Sequence, residues 1–77
     1  MSIRKGRVAA NRLRVWRAER HVTQLALAFK SRLAPSRISL IENRHVDATK
    51  EEREQLAGAL KVDIADIFPE TSEAVAS

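Results

Sequence analysis

The stretch Thr23-Gln24-Leu25-Ala26-Leu27-Ala28-Phe29-Lys30-Ser31-Arg32-Leu33-Ala34-Pro35-Ser36-Arg37-Ile38-Ser39-Leu40-Ile41-Glu42 decides the fold. Thr23 is a good N-cap, because its hydroxyl can accept from a backbone N–H that the first helical turn leaves unpaired. A helix over Gln24 to about Ser31 turns Leu27 and Ala28 inward. Arg32-Leu33-Ala34 breaks the pattern. Pro35 then opens a second helix, since its missing N–H costs nothing at the first helical position. Proline also pushes Ala34 out of the α region, as a cap position requires. This helix runs to Glu42 with Ile38 and Ile41 inward. Two short helices joined by about three residues must cross steeply, the geometry by which one helix enters a DNA major groove while its predecessor braces it.

Working outward, the flanks are helical as well. On the N-terminal side, Ala9, Leu13 and Trp16 recur at helical spacing, which predicts a helix from about Val8 to Arg20. Residues 1–7 read as a basic flexible arm and residues 70–77 as a flexible tail. Residues 8–69 form the domain. Asn43 to Ala48 read as loop. Thr49-Lys50-Glu51-Glu52 is a capping box that starts a fourth helix ending near Leu60, with Leu56, Ala59 and Leu60 inward. Asp63 starts a short fifth helix carrying Ile64, Ile67 and Phe68. The fold class is therefore all-α, a five-helix domain in which helices two and three make a helix-turn-helix.

Composition narrows the function. The chain has 77 residues and a net charge of +4, with no cysteine. That excludes disulfides, thiolate zinc sites and cysteine nucleophiles, and it fits a reducing cytoplasm. No apolar run approaches the ~20 residues of a membrane helix, so no membrane partner is expected. The charge is unevenly placed. Residues 1–45 carry eleven Arg or Lys against two acids, +9, while residues 46–77 carry three against eight, −5. One half is suited to a polyanion, nucleic acid first among them. An enzyme is not expected: the two histidines, His21 and His45, fall in different loops, and there is no Gly-rich phosphate loop. Neither cofactor, metal nor small-molecule ligand is called for. RNA binding would need aromatic stacking platforms, and Trp16, Phe29 and Phe68 read as buried.

The ordered motifs Leu13-Arg14-x-Trp16-Arg17, Val22-Thr23-Gln24-x-x-Leu27-Ala28, Ser36-Arg37-Ile38-Ser39-x-Ile41-Glu42-Asn43, Thr49-x-Glu51-Glu52 and Leu56-Ala57-x-Ala59-Leu60-x-Val62, leading into Ile67-Phe68-Pro69, resemble the phage repressor-like (XRE-family) helix-turn-helix domains of prokaryotic transcription regulators. The likeness spans about residues 12–69. It implies sequence-specific double-stranded DNA binding with helix three as the recognition helix. Pro35, Ser36 and Leu40 match groove-facing positions, with Arg37 beside them. Arg37 could fork onto guanine O6 and N7 or bind phosphate; Ser36 could donate to a base or a phosphate; Leu40 could meet a thymine methyl or pack partly inward. Gln24, Asn43 and Arg44 match positions near the phosphate backbone. Arg17 and Glu42 match an ion pair joining helix one to the end of helix three, a structural and not a reading feature.

Two departures from the family pattern stand out. Arg32 occupies a turn position usually held by a left-handed glycine, and Ala34 replaces a Ser or Thr cap. Leu25 and Phe29 are expected to widen the core or meet the C-terminal segment, with a partner surface as the alternative. Glu51, Glu52 and Glu54 read as a solvated helix start. One recognition helix reads only a few base pairs, so a repressor-type homodimer on a palindrome is the leading expectation. The alternative is a protein-interaction module of the same fold, such as an antitoxin binding a toxin partner.

Overall fold

A computed structural model describes residues 10–69. Its five helices are α1 (Leu13–Glu19), α2 (Gln24–Ser31), α3 (Pro35–Glu42), α4 (Lys50–Leu60) and α5 (Ile64–Ile67), with no strand among the described residues. α2 packs on both α3 and α4, and α5 closes against α4. The basic arm and the C-terminal tail lie outside the described residues.

The elements begin where the local chemistry places them. Thr23 Oγ1 accepts from Ala26 N at 3.0 Å. At α4, Thr49 Oγ1 accepts from Glu52 N at 3.1 Å while Glu52 Oε1 accepts from Thr49 N at 2.9 Å, the reciprocal bonding of a capping box. Pro35 opens α3 after an extended Ala34 that has no side-chain cap bond. The first helix departs from expectation. Its period extends back to Val8, but Ala10, Asn11 and Arg12 are not helical. Asn11 competes with the helix for its own backbone: its Oδ1 accepts from Leu13 N at 3.0 Å, and its Nδ2 donates to Ile41 O at 2.9 Å. The Arg12 N–H donates to Ile67 O at 2.8 Å instead of entering a helical turn.

Four helices end alike. His21, Arg32, Arg44 and Lys61 all adopt positive φ, between 55° and 66°. After α1, α3 and α4 the backbone closes the paired Schellman bonds; following α3, Arg44 N donates to Ile41 O at 3.1 Å and His45 N to Leu40 O at 2.9 Å, while after α2 both Arg32 N and Leu33 N donate to Ala28 O. Glycine usually fills this position because a Cβ crowds the carbonyl there. Here three of the four residues are cationic, which offsets part of the strain at the negative end of the helix dipole.

The core is one cluster. Leu13, Leu27, Ile38, Ile41, Leu56, Leu60 and Ile67 are fully buried, joined by Ala28, Ala48, Ala57 and Phe68. Trp16 lies at its rim, where its indole N–H donates to Asp66 O at 3.0 Å and the Arg20 guanidinium sits 5.1 Å above the ring. α3 thus supplies Ile38 and Ile41 from one face and leaves the other outward.

Candidate nucleic-acid interface

The outward face of α3 follows from helical spacing. Ile38 and Ile41, three apart, are buried, so Ser36, Leu40 and Asn43, at i, i+4 and i+7, share the opposite stripe and are exposed. Pro35 is exposed at its start. Leu40 remains 39% exposed. The stripe is polar at its ends with one apolar residue between, a surface able to offer both hydrogen bonds and a methyl contact.

Two bidentate arginine–carboxylate pairs hold this helix in place. At its C-terminal end the Glu42 side chain is wholly buried, and the Arg17 fork from α1 donates to Oε2 at 2.6 Å and to Oε1 at 3.2 Å. Gln24 Nε2, from the start of α2, donates to the same Oε1 at 3.1 Å. Arg17 Nη1 also reaches Val22 O at 3.1 Å, tying the link after α1 to the same centre. One carboxylate therefore joins α1, α2 and α3. A buried charge is tolerable only when its oxygens are satisfied in this way.

Toward the N-terminal end, Arg37 donates to Glu52 Oε2 at 2.7 Å through Nε and to Oε1 at 2.9 Å through Nη2. Glu52 is also the N3 residue of the α4 capping box, so a single carboxylate caps α4 and anchors α3. The Arg37 hydrogen bond is the chief cause that lowers the Glu52 carboxyl below its ordinary 4.5; burial opposes it, and the Thr49 bonds assist. In return, that hydrogen bond is the chief cause that raises the Arg37 guanidinium above its ordinary value.

Arg37 and Glu52 thus have engagements that differ from those expected. Glu52 is not a merely solvated acid. The Arg37 guanidinium is turned to α4, with a further contact from Nη2 to Asp47 O at 3.4 Å, instead of standing free beside Ser36 and Leu40.

Gln24, Asn43 and Arg44 come together around the C-terminal end of α3. Gln24 reaches Glu42, and Asn43 follows Glu42 directly. Asn43 Nδ2 donates to Ser39 O at 3.0 Å, and its Oδ1 accepts from Arg14 Nη2 at 2.8 Å. Arg44 is exposed and makes no ion pair with the described residues. Arg14, 63% exposed and 3.7 Å from Glu42 Oε1, belongs to this group although its sequence position alone did not mark it. The available signal was its place three residues before Arg17, on the same face of α1.

Leu25 and Phe29 do not widen the core: they are 69% and 87% exposed. α2 buries Leu27, Ala28 and Ser31, and a helix two turns long cannot also bury the opposite side when no element of the described residues packs on it. Phe29 is therefore not a buried aromatic. Among the described residues no group of three His, Asp or Glu side chains is placed to hold a metal ion, and no helix is long and apolar enough to cross a membrane.

Residues 13–67 match the profile of the helix-turn-helix family HTH_3, the XRE type. The chain belongs to that family. Among solved structures it is similar to the clp gene regulator ClgR from C. glutamicum, with a TM-score of 0.69 and 31% identity over 80% of each chain. No curated protein matches it in sequence. The chain is an all-helical DNA-binding protein of the transcription-regulator class, with α2 and α3 as its helix-turn-helix.

Proposed function

We propose that this family member acts as a repressor-type homodimer that reads two half-sites related by a two-fold axis, each through one copy of α3. In this reading α3 enters the major groove, and Ser36 and Leu40 meet base edges. Gln24, Asn43 and Arg44, gathered at the far end of α3, meet the phosphates that flank the groove. The first turn of α2, next to Gln24, adds backbone N–H groups and the positive end of the helix dipole to the same anion site. Arg37 serves mainly to orient α3 through Glu52, and it reads a guanine only by leaving that carboxylate. Repression requires nothing beyond occupancy of an operator that overlaps a promoter.

The observation that supports this reading most strongly is the exposed stripe on a helix pinned at both ends by arginine–carboxylate pairs. Such a helix can present side chains to bases without first paying the entropy of ordering itself. Selection of bound sites from random duplex DNA tests it. The expected product is a palindrome with half-site centres about one helical turn, ~10 base pairs, apart. Placing that palindrome over a reporter promoter should lower transcription when the protein is supplied. An unenriched pool, or an asymmetric single site bound by one copy, would overturn the dimeric reading.

A further inference from the structure

We infer that the outer face of α2 is a docking surface for an acidic amphipathic segment of a partner protein. Among the described residues the face is apolar and open. Leu25, Ala26, Phe29, Leu33 and Pro35 line a shallow depression of about 560 Å³ between α2 and the start of α3. A second hollow continues around Phe29 and is edged by Lys30 and Arg32. Phe29 at 87% and Leu25 at 69% are the most exposed large apolar side chains of the described residues. Leaving them in water forgoes the favourable burial of apolar surface that a partner could cover. Exposed patches of this kind mark interaction sites.

Charge selects the occupant. No residue between Gln24 and Pro35 is acidic, and neither Lys30 nor Arg32 forms an ion pair with the described residues. Apolar anchors rimmed by two unneutralised cations fit a segment with large apolar side chains on one face and Asp or Glu beside them. A second copy of the chain fits less well. A two-fold contact is self-complementary, so it would bring Lys30 and Arg32 of both copies into one interface with no acid from residues 24–35 to neutralise them. The DNA backbone fits less well too, because phosphates would gain nothing from Leu25 and Phe29. This inference does not rest on the DNA-binding reading: its anchors, Leu25 and Phe29, lie outside the Ser36, Leu40 and Asn43 stripe, and Pro35 alone borders both surfaces.

Selection from a displayed library of random peptides on the immobilised 77-residue chain tests the proposal, with Phe29→Ser as counter-target. The expected winners carry two large apolar residues about one helical turn apart with flanking acids. Their affinity should fall about ten-fold or more in Phe29→Ser and several-fold in the double reversal Lys30→Glu/Arg32→Glu, consistent with loss of an aromatic anchor and of charge complementarity. Phe29→Ser replaces an exposed side chain, so its helical content and duplex DNA binding should match the parent, separating this site from the DNA interface. Four outcomes would overturn the inference: no enrichment; neutral or basic winners; winners that bind Phe29→Ser equally; or Phe29-dependent self-association or single-strand binding in place of peptide capture.

Discussion

Replacing Arg17 by methionine should remove about 3 kcal/mol of folding stability. Methionine keeps the length of the stem and its packing but deletes the fork. Glu42, whose side chain is fully buried, would then retain Gln24 at 3.1 Å and the exposed Arg14 at 3.7 Å as its remaining partners. Breaking a buried pair on one side typically costs about 3–5 kcal/mol, and the two residual partners place this case at the lower end. A chain of this length is stable by roughly 4–12 kcal/mol in total, so the variant sits near the edge of folding. The corresponding fall in melting temperature is roughly 12–24 °C, taking about 4–8 °C per kcal/mol for a domain of this size. Urea unfolding followed by helical circular dichroism measures it, and the midpoint should drop without a change in slope. Removing both charges, in Arg17→Met/Glu42→Leu, should cost less than Arg17→Met alone, because no buried carboxylate is stranded. A loss below about 1 kcal/mol would refute the reasoning, since that is the magnitude of an exposed pair.

Other outcomes follow from the same geometry. Glu52 has a lowered folded-state pKa, so its contribution is complete above the unfolded value of 4.5 and is lost as pH falls through the lower folded value. Acid titration of stability should therefore be steeper in the parent than in Glu52→Gln, and equal slopes would count against the Arg37–Glu52 clamp. Arg32→Gly should stabilise by roughly 0.5–1 kcal/mol, because φ at this residue is 66° and relief of Cβ strain outweighs the lost dipole interaction; destabilisation would reverse that ranking. Arg44→Gly keeps the left-handed backbone while deleting the side chain proposed to meet a phosphate. The slope of log affinity against log salt should fall by about 0.9, uniformly across sequences. A change confined to one base pair would make Arg44 a reader instead.

The parts legible in the sequence are those fixed by local rules. Pro35 marks the start of α3, and Thr49 with Glu52 marks the start of α4, because each signal acts within one turn. The Arg17–Glu42 pair came from resemblance, not from spacing, since twenty-five residues separate the partners. The start of α1 was misplaced because apolar spacing reports the buried face but not the side chain that interrupts it. Asn11 sets the helix start at Leu13 by accepting from Leu13 N and, across the fold, donating to Ile41 O. Arg37 and Glu52 each had a sound local reading, one as a groove-side cation and the other as a cap. Only the fold, in which α2 carries α3 and α4 together, brings Arg37 to the start of α4 and shows that they answer each other. Leu25 and Phe29 show the same gap: an apolar i, i+4 pair announces a face, while the neighbour that would cover it is set by the fold.

In the proposed complex α3 reads bases with its outward stripe while the Arg17–Glu42 and Arg37–Glu52 pairs hold it in place. Repeating the duplex selection with Ser36→Gln and with Leu40→Gln tests this most directly. Each variant should fold like the parent and yield a palindrome altered at one or two base pairs, at matching positions in both halves, with spacing unchanged. Recovery of the parental palindrome by both variants would contradict the account.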